Sequence, residues 1–302
     1  MRVAFLGLGL IGGSIARALR GDRAAELAVV AAWTPRGEGP RAALAAGVID
    51  EVADDPAAAV AGADLIVIAA PPLATLQLID LLGSLPDGVL GRDATVTDVA
   101  STKGVIVRRA DAAGLAFVGG HPMAGRETSG FGGASADLFV DRPWVVIPGR
   151  AARRFDIERV ERLARACGAR TVALDAATHD AATAAISHAP LVVAAALVEA
   201  MAGAPGEPPP ETWKVARMLA ASGWRDMTRL ARGDAAMGAG ILATNGPAVA
   251  ARLRDVRDRL DAWIAALEAV GGPDARALQA DLEVDRDRAP TPDRDAPRPD
   301  PS

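Results

Sequence analysis

A histidine set among small residues is the first candidate for acid–base chemistry in this chain. His121 lies in Gly120-His121-Pro122-Met123-Ala124-Gly125, just after an apolar run that ends at Gly119. Imidazole titrates near neutral pH, so it can accept a proton from a bound alcohol. A lone histidine is more often structural, but this chain has only three histidines. We therefore expect His121, on a loop after a strand, to be a catalytic base.

The other two histidines lie close together in the second half of the chain. His179 precedes Asp180, and His188 lies in Ser187-His188-Ala189-Pro190. Nine residues of α-helix correspond to about 900° of rotation, which would place the two rings on opposite faces. Both could line one pocket only if the helix bends or one ring packs elsewhere. The spacing does not match metal ligands, so we expect no metal site.

Two polar segments could complete such a site. The segment 98–104 (DVASTKG) follows an apolar run, where ligands of open α/β sheets bind. Ser101 or Thr102 could also cap the next helix there. Further on, Arg229 could pair with a carboxylate through two hydrogen bonds. The alternative is that Arg229 is a surface arginine on the exposed face of an amphipathic helix, which would give the same sequence pattern.

The start of the chain predicts a dinucleotide-binding turn. Residues 7–12 (GLGLIG) match G-x-G-x-x-G between a strand-like run and a helix-like segment. The glycines would allow a tight turn, close approach of a pyrophosphate and packing of helix on strand, and the helix N-terminus would face the phosphates. A glycine-rich turn without a ligand is the alternative. The predicted cofactor-binding residues are Gly7, Gly9, Leu10, Ile11, Gly12, Thr34, Arg36 and Asp98.

The end of the second strand bears on the choice of cofactor. A carboxylate there would hold the ribose 2′-hydroxyl of NAD, but the chain has Trp33-Thr34-Pro35-Arg36, and its first carboxylate is Glu38. A hydroxyl and a guanidinium suit a 2′-phosphate. We expect NAD(P) as cofactor with NADP weakly preferred, and a merely solvated Arg36 is an equal alternative.

Alternating apolar and helical segments must position these residues. Apolar runs without polar alternation predict strands buried on both faces, and their alternation with helices predicts βαβ units. We therefore expect a Rossmann-type α/β dinucleotide-binding domain (1–174), then an all-α dimerisation domain (175–282) and a disordered, Pro-rich and charged tail (283–302). The predicted strands are 2–6, 27–33, 64–70, 94–98, 115–119, 143–148 and 171–174. Predicted helices of the second half are 176–202, 211–232 and 247–270.

Composition narrows the class of protein. The chain has 302 residues, a net charge of −5 and no basic cluster, which argues against nucleic acid as a partner. Its single cysteine, Cys167, fits a reducing, cytoplasmic compartment. No apolar run is expected to reach the length of a membrane span. The segment 181–200 is apolar nearly all round, so we expect a homodimer through the helical half.

Five segments, in this order, resemble motifs of prephenate and arogenate dehydrogenases: 7–14, 98–104, 120–131, 179–190 and 223–229. The likeness runs from about Arg2 to about Asp281, and 120–131 is its most discriminating part. Two positions depart from it. Leu191 stands where many members carry a second histidine, and Met237-Gly238 where many carry a tryptophan. The preferred substrate side chain is therefore left open by the resemblance.

The resemblance implies an oxidoreductase of tyrosine biosynthesis that oxidatively decarboxylates prephenate, or alternatively arogenate. It implies that His121 takes the proton of the ring 4-hydroxyl, that Ser101 shares its hydrogen-bond network, and that Arg229 grips a substrate carboxylate. It also implies that Glu127, His179 and His188 either line the substrate pocket or lie directly behind it, and it leaves their individual roles open. The small-molecule substrate expected first is prephenate.

Two other classes of protein are compatible with a dinucleotide-binding half. One is a hydroxyacid-type dehydrogenase, which would need a lysine in the helical half. Lys214 is the only lysine after residue 103, and its surroundings do not resemble that motif. The other is a dinucleotide-binding protein without turnover, against which His121, Ser101 and Arg229 argue together.

Overall fold

The computed structural model describes residues 1–21, 28–126, 128–204, 206–269 and 274–288. The chain forms two compact units, one from Met1 to Arg252 and a second that begins at Leu253. The first unit contains a large sheet and the helices around it. The second contains the end of one long helix and one further helix.

An eight-stranded mixed sheet forms the centre of the first unit. Its strands are β1 (Arg2–Leu6), β2 (Ala28–Trp33), β3 (Glu51–Val52), β4 (Leu65–Ile68), β5 (Thr95–Asp98), β6 (Phe117–Pro122), β7 (Pro143–Pro148) and β8 (Arg170–Ala173). Their order is β3-β2-β1-β4-β5-β6-β7-β8. All neighbours are parallel except β6 and β7, which are antiparallel. The order reverses between β1 and β4, where sheets of this kind bind ligands at the carboxyl ends of the strands.

Helices follow most strands, and after β8 the described elements are all helical. They are α1 (Leu10–Leu19), α2 (Glu38–Ala45), α3 (Pro56–Val60), α4 (Pro72–Gly83), α5 (Gly104–Ala112), α6 (Arg154–Ala166), α7 (Ala176–Thr183), α8 (Ala189–Ala202), α9 (Glu211–Leu219), α10 (Ser222–Met227), α11 (Ala235–Leu267) and α12 (Ala275–Arg288). A π-helical turn, Ala184–His188, joins α7 to α8.

Successive side chains of a strand point to opposite sides of the sheet. Both faces are buried because helices pack on each of them. Val3 and Phe5 of β1 belong to a core cluster that α1 and α6 complete. Ala4 and Leu6 belong to a second cluster, which α4 and α5 complete. The predicted Rossmann-type domain, with buried apolar strands and helices on both faces, is confirmed.

His121 lies within β6, not on the predicted loop after it. The strand continues to Pro122 because it pairs with β7, and His121 stands opposite Val145. Gly120, His121 and Pro122 have little intrinsic preference for strands, so pairing with a distant segment decides the local structure. The sequence predicted βαβ units and hence parallel strands, so the antiparallel pairing of β6 and β7 was not predicted.

α7, the π-helical turn and α8 form one continuous helix of 27 residues, Ala176–Ala202. An 18-residue stretch of this helix has a mean hydropathy of 1.8, so the prediction that no apolar run approaches a membrane span is wrong by length and composition. Alanine, valine and leucine raise the hydropathy of this segment, and few polar residues interrupt it. His179 and His188 are nevertheless buried in it, as expected of a helix that packs within the first unit.

Several helix limits differ from the predictions. The predicted helix 211–232 is broken into α9 and α10, and α11 begins twelve residues before Pro247 instead of at it. Asn245 has non-helical angles (φ −129°, ψ 20°), since Pro247 clashes with the preceding turn. α12 continues to Arg288, so the predicted tail does not begin at Glu283. Charged residues without proline can continue an exposed helix, and residues 289–302 lie outside the described residues.

The change from strands to helices falls at the predicted place, between Ala173 and Ala176. α7 contacts α5, and residues 175–252 belong to the same compact unit as the sheet. A division into domains at residue 174 therefore stays a prediction.

Candidate active site

The structure joins two of the three histidines across β6 and α7. His121 Nδ1 lies 2.8 Å from His179 Nε2, and the rings meet edge to face. On its other side, His179 Nδ1 lies 2.8 Å from Asp180 Oδ1. Protein groups therefore occupy both ring nitrogens of His179, which is 1% exposed. In this geometry His179 lies behind His121, and its predicted contact with substrate stays a prediction.

Asp180 connects α7 to the start of α5. Its Oδ1 accepts a hydrogen bond from the Lys103 amide and its Oδ2 one from the Gly104 amide, each at 2.8 Å. α5 has no side-chain cap of its own, so capping by Ser101 or Thr102 is wrong. Burial opposes the ionisation of Asp180, but the hydrogen bonds from His179 and the two amides outweigh it and lower the Asp180 pKa. A carboxylate 77 residues away thus caps this helix.

The π-helical turn resolves the phase difference between His179 and His188. A π turn rotates the chain less per residue than an α-helix, so the two positions no longer lie half a turn apart. Asn245 Nδ2 donates to the backbone oxygen of Asp180 at 2.8 Å and to His188 Nδ1 at 3.1 Å. His188 therefore packs beside the same network. Burial lowers the pKa of His188 to about 4, with His179 adding to the shift and Asp180 opposing it.

The predicted contact between His188 and substrate stays a prediction. The residue is 1% exposed, and its Nε2 has no hydrogen-bond partner among the described residues. Asn245 donates to Nδ1, so a neutral His188 carries its proton on Nε2. This nitrogen is thus a buried donor that a bound group or a water could satisfy.

Two residues that the sequence did not single out connect α11 to the site. Thr244 Oγ1 lies 2.9 Å from Thr102 Oγ1, and Asn245 bonds as described above. Both are buried. No motif marks them, and the available hint was Pro247, which predicts a break in the helix just before it.

A buried ion pair lies beside His121. Lys103 Nζ contacts Asp98 Oδ2, and both side chains are fully buried. The Asp98 carboxylate also accepts hydrogen bonds from the amides of Ala100 at 3.0 Å and Gly120 at 3.2 Å. The predicted contact of Asp98 with the cofactor is therefore wrong for its side chain, which instead holds the loop after β5 against β6. Buried carboxylates need such partners, because desolvation is costly.

His121 is held as a neutral ring. Burial lowers its pKa well below 6.5, and the positive charge of Lys103 adds to this. The residue keeps partial exposure, and no described residue bonds to its Nε2, on the ring edge away from the bond to His179. A neutral imidazole with one free nitrogen at the carboxyl end of β6 can accept a proton from a ligand.

The glycine-rich turn fits the pyrophosphate of a dinucleotide. At Gly7 (φ 104°) a Cβ would lie 2.2 Å from a backbone oxygen of Ala69, and at Gly12 it would lie 2.6 Å from the oxygen of Gly7. Packing therefore requires both glycines. At Gly9, by contrast, nothing lies within 4 Å of the Cβ position, and α1 begins there without a side-chain cap. Open space beside free helix amides is what an anion needs.

A cavity of about 610 Å³ continues from this turn. Thr34 and Arg36 line it, and the Thr34 hydroxyl accepts a hydrogen bond from the Gly37 amide at 3.0 Å. Arg36 is exposed, with its Nε 3.6 Å from a carboxylate oxygen of Glu38. Arg41, which the sequence did not single out, donates to the backbone oxygen of Arg36 at 2.6 Å. The guanidinium of Arg36 and the carboxylate of Glu38 thus line the place predicted for the ribose 2′ position, and Arg41 lies behind Arg36.

The loop after β6 is attached to the helix of the glycine-rich turn. The Ser135 amide donates to Ser14 Oγ at 3.0 Å, and Phe131 packs so closely that a Cβ on Gly13 would lie 2.7 Å from its ring. Glu127, the pocket residue predicted on this loop, lies outside the described residues.

Ser101 and Arg229 occupy separate places in the first unit. Ser101 is partly buried in the loop between β5 and α5. Arg229 is exposed directly after α10, beside a 3-10 turn, Leu230–Arg232, that packs against α8. Their predicted contacts with His121 and with a substrate carboxylate stay predictions. Over the described ranges, no group of three or more His, Cys, Asp or Glu residues could hold a metal ion.

Comparison with known proteins assigns this arrangement to a family. The model of the prephenate dehydrogenase nucleotide-binding domain matches residues 15–173, and that of the prephenate dehydrogenase dimerization domain matches residues 175–278. The chain belongs to the prephenate dehydrogenase family. It is therefore a dehydrogenase, an oxidoreductase with a nucleotide-binding half.

Relatives cover most of the chain. The prephenate dehydrogenase of Bacillus subtilis is 33% identical over 271 residues, which are 89% of this chain and 68% of the relative. The crystal structure of Synechocystis arogenate dehydrogenase is 30% identical, covers 95% of this chain and 99% of its own, and has a TM-score of 0.76. Prephenate dehydrogenase from Aquifex aeolicus, solved with hydroxyphenyl propionate and NAD+, shares the fold at 24% identity, with 95% and 97% coverage and a TM-score of 0.80.

Alanine at two glycines should separate folding from cofactor binding. Gly7→Ala forces a methyl group into backbone at positive φ, so we expect a loss of about 2 kcal/mol or more and a lower Tm. Gly9→Ala should keep the wild-type Tm but weaken NAD(P)H binding about tenfold or more, because its methyl enters the open space. Thermal unfolding and fluorescence titration with NADPH and NADH measure both. Wild-type affinity in Gly9→Ala would contradict the assignment of the turn.

The two histidines with lowered pKa predict a loss of stability in mild acid. Below pH 6.5 the unfolded chain binds a proton at His121 and His188 that the folded chain does not. The free energy of unfolding should then fall by about 1.4 kcal/mol per pH unit for each ring, down to pH about 5. Urea unfolding across this range measures the slope, and His188→Gln should halve it. A flat profile in the wild type would show that the rings titrate normally.

Proposed function

We propose that this chain is a prephenate dehydrogenase, which converts prephenate to 4-hydroxyphenylpyruvate and CO₂ with NAD(P) as hydride acceptor. The observation that carries the proposal is His121, a neutral imidazole with a free Nε2 at the same sheet edge as the glycine-rich turn. This edge is where a substrate alcohol and a nicotinamide could meet. Membership of the prephenate dehydrogenase family supports the choice of substrate.

The reaction demands little beyond alignment and control of one proton. Carbon 4 of the ring loses a hydride, and its hydroxyl proton passes to Nε2 of His121 as the C–O bond gains double-bond character. The bond between ring carbon 1 and its carboxylate then breaks, its electron pair makes the ring aromatic, CO₂ leaves, and the oxygen regains a proton. When bound, the nicotinamide supplies the hydride acceptor. The protein contributes orientation and a preset acceptor for the proton.

Arg229 is proposed to bind a substrate carboxylate. Its guanidinium can make two charge-assisted hydrogen bonds to such a group. The exposed position after α10 leaves it accessible to a ligand. Ser101, in the loop beside Lys103, is proposed to hydrogen-bond to the reacting oxygen together with His121.

Arogenate is the second candidate substrate. It differs from prephenate in the side chain, which ends in an amino acid instead of a ketoacid. The likeness to the Synechocystis arogenate dehydrogenase, at 30% identity over nearly the whole chain, favours testing it. The ring chemistry proposed for His121 is the same for both compounds.

We infer a weak preference for NADP over NAD. Thr34 and Arg36 line the place expected for the ribose 2′ position, with Arg41 bonded to the backbone of Arg36, and Glu38 is the one carboxylate among the described residues that line the cavity. Two guanidinium groups would attract a 2′-phosphate. The contact between Glu38 and Arg36 weakens that attraction, which is why the preference should be small.

We also infer a homodimer through the helical half, in the cytoplasm. Large apolar side chains are exposed there, including Ile186 (69%), Met218 (83%) and Leu219 (76%). Leaving so many large apolar side chains in water is unfavourable, and a second copy would cover them. The match to a dimerization domain supports this inference. The single, buried cysteine fits a reducing compartment.

Replacing His121 tests the function directly. His121→Asn should keep NAD(P)H affinity but lower kcat with prephenate by roughly 10²–10⁴, the usual loss for a general base. Absorbance of the reduced nicotinamide follows turnover, with prephenate and arogenate each tested against NADP and NAD. Arg36→Ala is the matched control, which should weaken NADP binding and leave NAD kinetics unchanged. Near-normal turnover of His121→Asn would refute the role of His121, and no turnover of either substrate by the wild type would refute the function.

A further inference from the structure

We propose that Asp180 and His179 are a positioning pair that fixes the tautomer of His121, so that Nε2 of His121 carries the lone pair that meets the substrate. The proposal deepens the proposed function and rests on it, because His121 is the base in that reaction. It assigns His179 a role behind His121 in place of the predicted contact with substrate.

The argument begins at the Asp180 carboxylate. An ionised carboxylate only accepts hydrogen bonds. Its oxygens accept hydrogen bonds from the amides of Lys103 and Gly104, each at 2.8 Å, and these bonds favour the ionised form. The nitrogen of His179 that lies 2.8 Å from Oδ1 must therefore be a donor. His179 thus carries a proton on Nδ1.

The tautomer of His179 then determines that of His121. We take His179 to be a neutral imidazole with one protonated nitrogen, which makes its Nε2 an acceptor. The His121 nitrogen at 2.8 Å from it, Nδ1, must then carry a proton and donate it. The remaining nitrogen of His121, Nε2, bears a lone pair. The hydrogen bonds from the Asp180 carboxylate through His179 to His121 therefore leave Nε2 of His121 as the nitrogen that can act as a base.

The same three groups can stabilise the positive charge that forms on proton transfer. When Nε2 of His121 takes the hydroxyl proton, the ring becomes a cation close to Lys103, which is unfavourable. The Nδ1 proton of His121 can pass to Nε2 of His179, which places the charge next to the Asp180 carboxylate. The proton returns when the product oxygen is reprotonated, so no net proton is gained or lost. His179 therefore also offsets the electrostatic cost of the reaction.

Nitrogen NMR of the free enzyme tests the tautomers without any assay. The chain has only three histidines, so labelling with ¹⁵N-histidine gives three imidazole spin systems. Ring-nitrogen shifts distinguish protonated from unprotonated positions. At neutral pH we expect His121 and His179 each to be protonated on Nδ1 and not on Nε2. A proton on Nε2 of His121 in the wild type would overturn the proposal.

Variants of His179 distinguish positioning from packing. His179→Leu should let both tautomers of His121 coexist and lower kcat on the order of 10²-fold, with KM for substrate unchanged. His179→Gln offers an amide oxygen to His121 Nδ1, so it should restore the tautomer and recover kcat to within about tenfold of wild type. His188→Gln is the matched control for the NMR, since His188 bonds to Asn245 instead of His121. Its His121 shifts should match wild type.

The outcomes separate this proposal from the proposed function. If His179→Leu does not fold, the wild-type shifts and His179→Gln still decide. A rise in KM with unchanged kcat in either variant would return His179 to substrate binding and contradict the proposal. If the wild type shows the predicted shifts but oxidises neither prephenate nor arogenate, the function fails and the tautomer assignment stands. If it oxidises prephenate with Nε2 of His121 protonated, the function stands and the positioning pair fails.

Discussion

The Asp180 carboxylate is buried and accepts hydrogen bonds from two backbone amides and one imidazole. Burying an ionised carboxylate is costly unless its oxygens are satisfied, so these three donors must stay in place together. The constraint holds α7 against the N-terminus of α5 and orients the His179 ring. His179 in turn orients His121 on β6. A helix cap and the alignment of the proposed base therefore depend on one charge.

A second buried charge sets the electrostatics around His121. Lys103, paired with Asp98, lies close enough to disfavour a proton on the imidazole. The same Asp98 binds the Gly120 amide next to His121, so the pair also fixes the backbone that carries the ring. Lys103 acts on the charge of His121, whereas Asp180 is connected to His121 only through His179. Burial, with Lys103 adding to it, keeps the resting ring neutral, and Asp180 is available to balance charge during proton transfer.

Local patterns predicted much of the fold and part of the site. The glycine-rich turn, the apolar strands and His121 could be found because each depends on residues near in sequence. The antiparallel pairing that extends β6 through His121 could not, since it depends on β7. The capping of α5 by Asp180 and the contacts of Asn245 likewise link distant segments that no motif connects. For Asp98 the local pattern was misleading. A carboxylate at the end of a strand suggested a contact with the cofactor, but its side chain binds Lys103 and the Gly120 amide instead.

Helical periodicity failed for a related reason. Counting 100° per residue placed His179 and His188 on opposite faces, but a π turn between them changes the phase. Such turns leave no clear pattern in a sequence rich in alanine. They occur frequently at functional sites, and here Asn245 contacts both Asp180 before the turn and His188 at its end.

A double-mutant cycle on hydride-transfer rate tests the central claim most directly. Single-turnover rates with prephenate would be compared for wild type, His121→Asn, Asp180→Asn and the double variant. If Asp180 acts through His121, removing its charge should cost the wild type on the order of 10²-fold and His121→Asn almost nothing, a coupling of about 2.7 kcal/mol. Equal losses in both backgrounds would show that Asp180 affects the rate independently of His121 and would contradict the account.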